Sequence, residues 1–301
     1  MKVMVCDKLA DDAIKIMKDA GLEVDVKIGQ TEEEVANNIK GYHAVIVRSA
    51  TKIRKPAIEA ADVLKVIARG GIGLDNIDVA DAKAKGIQVI NTPEASTRSV
   101  AELAVGLMFA LARFIPQADA SMKKAQWEKK AFEGIELAGK TLGIIGTGRI
   151  GKETARIANL IGMKVIGWDK LVKTIDVDFV KMVEFDELLA QSDFISLHIP
   201  LDKTAGPTLG VTEFGKMKQG AFLVNCARGG VVDEKALLEA LNSGKIARAA
   251  VDVFMKEPTD NMALVNHPNV ICTPHLGASS KEGQKRVGKE VAEKIVAALK
   301  K

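Results

Sequence analysis

The 301-residue chain has only three cysteines and four histidines, and it contains no apolar run long enough to span a bilayer. Each scarcity narrows the field. Cys6, Cys226 and Cys272 are odd in number, show no C-x-x-C spacing and sit in apolar, strand-like surroundings, which argues against a disulfide framework and against a metal site. No signal peptide is visible, so the expectation is a soluble, cytoplasmic protein with no membrane partner. The formal charge is a modest +4, and Lys and Arg are interspersed with Asp and Glu along helical stretches, which disfavours nucleic acid as a partner. Low-complexity segments and short repeats are missing too. What is present, 47% hydrophobic and 27% charged residues, suits two globular domains that each bury a core.

Short apolar runs alternate with amphipathic stretches along the whole chain. Residues 3–6, 24–28, 44–47, 66–68 and 88–90 read as strands, with helical periodicity at 11–19, 31–39, 56–61 and 79–85. This rhythm implies a parallel sheet with crossover helices. Ser96 then opens a long, nearly all-apolar helix to Arg113. Further strands are expected at 194–198, 222–226, 249–253 and 270–273, and a closing helix at 281–299. The fold class is α/β, with two doubly wound parallel sheets.

Between these halves lies the most specific motif. The apolar run Thr141-Leu142-Gly143-Ile144-Ile145 meets Gly146-Thr147-Gly148-Arg149-Ile150-Gly151, a helix-compatible stretch follows, and the next strand ends on Asp169. This is the context of a dinucleotide-binding turn: Gly146 for the tight bend, Gly148 for the approach of a pyrophosphate to a helix N-terminus, Gly151 for helix–strand packing. Asp169 would bond a ribose and repel the 2′-phosphate of NADP, which points to NAD; Lys170 and Lys173 oppose this slightly.

A cleft near the carboxyl ends of the strands is where a small substrate would meet the nicotinamide. Arg228, Glu257 and His275 fall at such strand ends. Their types suit carbonyl chemistry: an imidazole to exchange the hydroxyl proton, a carboxylate to orient it, and a guanidinium to grip a substrate carboxylate. Each also has a structural alternative, as a turn arginine, a solvated loop acid or a turn histidine. His43 and His267 read as structural, and His198 as lining the cofactor cleft.

With these residues in place, the chain resembles the D-isomer-specific 2-hydroxyacid dehydrogenases over essentially its full length. The motifs include Val47-Arg48-Ser49-Ala50-Thr51-Lys52, Arg69-Gly70-Gly71-Ile72-Gly73-Leu74-Asp75-Asn76-Ile77-Asp78, Asn91-Thr92-Pro93, the glycine turn, Asn225-Cys226-Ala227-Arg228-Gly229-Gly230, Asp252-Val253-Phe254 with Glu257-Pro258, and Pro274-His275-Leu276-Gly277-Ala278-Ser279. The resemblance implies a Rossmann-type NAD-binding domain, residues 95–282, inserted into a flavodoxin-like substrate-binding domain, residues 1–94 plus 283–301. It implies Arg228, Glu257 and His275 as the catalytic trio. Cofactor contacts are implied at Arg149, Ile150, Asp169, Ile199, Pro200, Cys226, Ala227, Asp252, Gly277 and Ala278, with Ile72 reaching across from the first domain. Arg48, Ser49, Gly71, Ile72 and Gly73 would hold the ends of an anionic substrate.

The activity so implied is NAD-dependent oxidation of D-3-phosphoglycerate to 3-phosphohydroxypyruvate, the first step of serine synthesis. Alternatives are glyoxylate or hydroxypyruvate reduction by the same trio and, in another class, an NAD(H)-sensing corepressor. Two departures from the family pattern are the stretch Thr204-Ala205-Gly206-Pro207-Thr208-Leu209 and Gly70, where alanine is common. The resemblance further implies a homodimer through the nucleotide-binding units. With 26 residues after His275 (301 − 275), no room remains for the serine-sensing domain of longer members, so insensitivity to serine is expected.

Overall fold

The computed structural model describes residues 1–202 and 204–300 and divides the chain into two compact units, Met1–Thr97 with Ala278–Lys301, and Arg98–Gly277. The first unit contains β1 (Lys2–Val5), α1 (Asp11–Asp19), β2 (Glu23–Val26), α2 (Glu32–Asn38), β3 (Ala44–Val47), α3 (Lys55–Ala60), β4 (Val66–Arg69), α4 (Val79–Ala84) and β5 (Gln88–Asn91). The second contains α5 (Thr97–Arg113), α6 (Ile115–Lys123), β6 (Thr141–Ile145), α7 (Arg149–Leu160), β7 (Lys164–Trp168), β8 (Val180–Met182), α8 (Phe185–Gln191), β9 (Phe194–Leu197), α9 (Val211–Lys216), β10 (Ala221–Asn225), α10 (Glu234–Asn242), β11 (Ile246–Val251), α11 (Met262–Val265) and β12 (Val270–Cys272). The last helix, α12 (Lys281–Leu299), returns to the first unit.

The first sheet is parallel, in the order β2-β1-β3-β4-β5. Side chains alternate across it. Met4, Val45, Val47 and Ile67 pack with Val35, Ile39, Ile53 and Ile58 on one face, while Val3, Val5, Ala44, Ile46 and Ala68 meet Met17, Val291 and Ile295 on the other. Both faces are therefore covered, and the central strand Ala44–Val47 is wholly apolar and buried. α12 lies on α1 closely enough that a Cβ at Gly288 would come within 3.2 Å of Ala13.

The second sheet is also parallel, in the order β12-β11-β10-β9-β6-β7-β8. Strand order reverses between β6 and β9, so a crevice opens at their carboxyl ends. Val100, Leu107, Met108 and Leu111 of α5 join the core on one face. Helix α5 leaves Phe109 exposed and bends by 62° into α6; among the described residues no single helix is long and apolar enough to cross a membrane.

The chain passes through more elements than its periodicity indicated. α6, β8 and α8 to α11 escaped the pattern because most are short; β8 has three residues and carries a lysine in its middle. The strands expected to end at 198, 226, 253 and 273 end one or two residues earlier, at Leu197, Asn225, Val251 and Cys272. His198, Cys226, Asp252 and Thr273 thus lie just past the ladder, where side chains are free to serve loops.

Candidate active site

At the end of β6 the chain turns at Gly146, whose φ of 96° lies in the left-handed region. A Cβ there would sit 2.6 Å from the His198 carbonyl oxygen and 2.7 Å from Ile199 Cγ2, so the end of β9 presses directly on the turn. A Cβ on Gly151 would fall 2.0 Å from the Gly146 oxygen, which fixes α7 against the strand. Gly148 is different. A Cβ there would meet nothing within 4 Å, and Gly148 caps α7 without a side-chain bond. Open space thus lies beside the N-terminus of α7, the setting a pyrophosphate requires.

Asp169 follows β7 and is tied to this turn: Oδ2 accepts from the Thr147 N–H at 2.9 Å, and Oδ1 from the Leu171 and Val172 N–H groups. A cavity of about 310 Å³ adjoins it, lined among others by Trp168, Lys173, Glu184 and Glu187. Three acids against one lysine make this a poor place for a phosphate and a suitable one for ribose hydroxyls. Ile199 and Pro200 follow β9. Burial pushes the His198 imidazole down to about 3, so it stays neutral, with Nε2 bonded to Ser196 Oγ at 2.9 Å.

Arg228 lies on the turn after β10. Asn225 shapes that turn, accepting from the Ala227 N–H at 3.1 Å and donating to the Arg228 carbonyl at 3.3 Å, and Arg228 Nη1 donates to the Ala227 carbonyl. Cys226 and Ala227 are buried, and burial drives the Cys226 thiol far above its ordinary pKa. The next residue, Gly229, accounts for the glycine pair: a Cβ there would fall 1.8 Å from the Phe254 oxygen. Only glycine lets the arginine turn lie against the Phe254–Glu257 loop.

Glu257 accepts from the Phe254 N–H through Oε1 at 3.1 Å, and its Oε2 lies 2.8 Å from His275 Nδ1. Burial raises the Glu257 carboxyl, but the bond to His275, its charge, the Phe254 N–H and the Arg228 charge together outweigh it and hold the group below its ordinary value. The three residues picked out by chemical type are therefore one cluster. His275 and Glu257 keep 38% and 39% of their side-chain surface, enough to meet a substrate.

His275 is held in an unusual way. Its φ is 55°, a left-handed conformation that few non-glycine residues adopt and that costs of order 1 kcal/mol or more unless the surroundings enforce it. Here they do. The fully buried Asp252 accepts from Thr273 Oγ1 and the Leu276 N–H through Oδ1, and from the Gly277 N–H through Oδ2, while the His275 N–H donates to its carbonyl. Sequence reasoning placed Asp252 beside a cofactor and missed this organising role, and it quoted Gly229 and Thr273 within their motifs without assigning either a role.

The remaining expected residues lie in the first unit. Arg48, Ser49, Gly71, Ile72 and Gly73 occupy the loops after β3 and β4, and Ala278 precedes α12. Gly71 has a φ of 150°, and a Cβ on it would overlap Arg69 Nη1 at 2.1 Å; the Ile72 carbonyl accepts from Asn91 Nδ2. Among the described residues, Arg48 Nε is buried without a partner and Nη1 donates to the Lys8 carbonyl at 3.3 Å; burial lowers its pKa. Among the described residues no group of three or more His, Cys, Asp or Glu is placed to hold a metal ion.

Comparison with known proteins agrees with this architecture. The family model for the NAD-binding domain of D-isomer specific 2-hydroxyacid dehydrogenases matches residues 105–277. The D-3-phosphoglycerate dehydrogenase of Methanocaldococcus jannaschii is 49% identical over 305 residues, covering 100% of this chain and 58% of that protein; the chain thus spans little more than half the length of that relative. The hydroxypyruvate reductase of Thermotoga maritima is 48% identical, covering 98% of this chain and 97% of that protein. A D-lactate dehydrogenase of Aquifex aeolicus, solved with NAD and lactic acid, superposes with a TM-score of 0.87 at 29% identity, covering 100% of this chain and 96% of that one. With an NAD-binding sheet of this topology and identities near one half across its length, the chain belongs to the D-isomer-specific 2-hydroxyacid dehydrogenases.

Proposed function

We propose that the chain oxidises D-3-phosphoglycerate to 3-phosphohydroxypyruvate with NAD, the first step toward serine. The carrying observation is the 2.8 Å contact of His275 Nδ1 with Glu257 Oε2, in a cluster with Arg228. Because Nδ1 is engaged, Nε2 is left to take the C2 hydroxyl proton. When bound, NAD would supply the acceptor for the hydride that leaves C2. As the proton reaches Nε2, the C2–O bond becomes a carbonyl and Glu257 stabilises the imidazolium; Arg228 holds the substrate carboxylate.

Arg48 supports a phosphorylated substrate. Its guanidinium is partly desolvated, forms no ion pair among the described residues and keeps Nε unsatisfied, so an oxyanion would complete it. The second reading, a hydroxypyruvate or glyoxylate reductase, draws on the Thermotoga relative, which matches this chain over nearly its whole length. A steady-state comparison of 3-phosphoglycerate, glycerate, lactate and glyoxylate decides. The highest kcat/KM should fall on 3-phosphoglycerate, and Arg48→Met should raise its KM far more than that of an unphosphorylated acid. Equal effects on both would mean that Arg48 does not read phosphate.

The assembly proposed is a homodimer through the second unit, supported by Phe109, Ile115, Met122 and Trp127, which are 40%, 53%, 53% and 80% exposed along α5, α6 and the following loop. Light scattering tests it, and a monomeric mass overturns it.

A further inference from the structure

The loop that carries Arg48 has no regular structure of its own, yet it is bonded on two sides. From just past β1, the buried Asp7 reaches it with both oxygens: Oδ2 accepts the Arg48 N–H at 2.5 Å and the Thr51 N–H at 3.2 Å, and Oδ1 accepts from Thr51 Oγ1 at 2.8 Å. From the loop after β4, Asn76 Nδ2 donates to the Arg48 carbonyl at 2.8 Å and the Thr51 carbonyl at 2.6 Å. The two side chains divide the work by chemistry. The carboxylate takes N–H groups, the amide takes carbonyls, and each acts on both ends of the Arg48–Thr51 turn. Pairing continues beyond it, where the Ile53 N–H meets the Asn76 carbonyl. Ser49 and Ala50, at the tip, remain exposed.

None of these contacts uses the Arg48 guanidinium, whose Nε is left unsatisfied. Asp7 is near enough for its charge to favour the Arg48 cation against the cost of burial, but its oxygens are committed to the loop.

We infer that Asp7 and Asn76 are positioning residues that clamp the Arg48–Thr51 turn so that Arg48 and Ser49 present a preformed site to the oxyanion of the substrate. This rests on the reading of Arg48 given above. A clamped loop binds without an ordering cost, so loosening it should appear in KM and not in kcat, because the proton-transfer cluster lies in other loops.

The test measures KM and kcat for 3-phosphoglycerate and NADH affinity by fluorescence, on the full chain. Asp7→Ala and Asn76→Asp should each raise KM by about tenfold or more, the scale of a misplaced binding group, with kcat within about twofold; NADH affinity should not change. Asn76→Asp is the sharper variant, since it keeps shape but turns a donor toward two carbonyls into an acceptor. Asp7→Asn should rescue: its amide oxygen still accepts both N–H groups, and Thr51 Oγ1, which also donates to the Cys6 carbonyl at 3.2 Å, accepts from the new amide. Should Asp7→Ala fail to fold by circular dichroism, Thr51→Val removes only the hydroxyl and should raise KM in the same direction. If Arg48→Met raises KM while Asp7→Ala, Asn76→Asp and Thr51→Val leave it unchanged, the clamp is overturned and the reading of Arg48 survives. If Arg48→Met itself leaves KM unchanged, both fall. A KM for Asp7→Asn as poor as that for Asp7→Ala would assign the effect to charge and likewise overturn the clamp.

Discussion

Replacing Glu257 with Gln removes the negative charge beside His275 and disturbs one bond. To leave Nε2 as the base, the glutamine oxygen must accept His275 Nδ1–H, which turns its amide toward the Phe254 N–H; the opposite orientation keeps the Phe254 bond but donates to Nδ1 and puts the imidazole proton on Nε2. Burial raises the Glu257 carboxyl, but His275 and Arg228 outweigh it and hold it below its ordinary value, so it stays charged beside the imidazolium that forms as the C2 hydroxyl proton is taken. Unit charges about 4 Å apart attract by about 1 kcal/mol in water and about 4 kcal/mol at an effective dielectric near 20. With side chains 38% and 39% exposed, solvent screening favours the lower part of that range. Losing about 1–2 kcal/mol of this stabilisation should lower kcat/KM for oxidation by at least about five- to thirtyfold. Initial rates of NADH formation measure it. A near-parental kcat/KM would refute the coupling and leave Glu257 a loop residue.

His275→Asn should lower turnover by about 10² to 10⁴ with NADH binding nearly unchanged, because asparagine tolerates the left-handed backbone while lacking the titrating nitrogen; near-parental turnover would remove His275 from the chemistry. Asp169→Ala should admit NADP, lowering the NAD-to-NADP ratio of kcat/KM by about tenfold or more, since a like charge facing a phosphate costs several kcal/mol. It should also weaken NAD binding, as the Thr147 N–H loses its acceptor. A parent that already prefers NADP would refute the assignment.

What the sequence disclosed was whatever is written locally. The glycine turn was legible because its three glycines and Asp169 follow one strand–helix–strand passage, and each constraint is steric: Gly146 against His198, Gly151 against Gly146. The two sheets were legible because parallel strands covered on both faces are apolar throughout, as in Ala44–Val47. His275, Glu257 and Arg228 could be chosen by type and strand-end position, but their convergence could not be derived; it depends on Gly229 letting one loop lie against another. Short elements such as β8 hold too few residues to establish a period.

A second kind of information was hidden by distance along the chain. Asp7, Asp169 and Asp252 each stand one or two residues beyond a parallel strand, and each accepts backbone N–H groups of loops that bear the candidate reactive or binding residues. Asp7 takes the N–H groups of Arg48 and Thr51, Asp169 that of Thr147, and Asp252 those of Leu276 and Gly277. The cause is general: past the end of a ladder, loop N–H groups lose their strand partners, and a carboxylate is the strongest acceptor a side chain can offer. A loop fixed this way draws mainly on its backbone, helped by the hydroxyls of Thr51 and Thr273, which leaves Arg48 and His275 for a ligand. The partners lie 41, 22 and 24 residues from their aspartates, so no local pattern marks them. An aspartate after a strand therefore has two readings, a ligand contact or a loop anchor. Asp169 and Asp252 were read only as ligand contacts, although their oxygens are already in use as anchors.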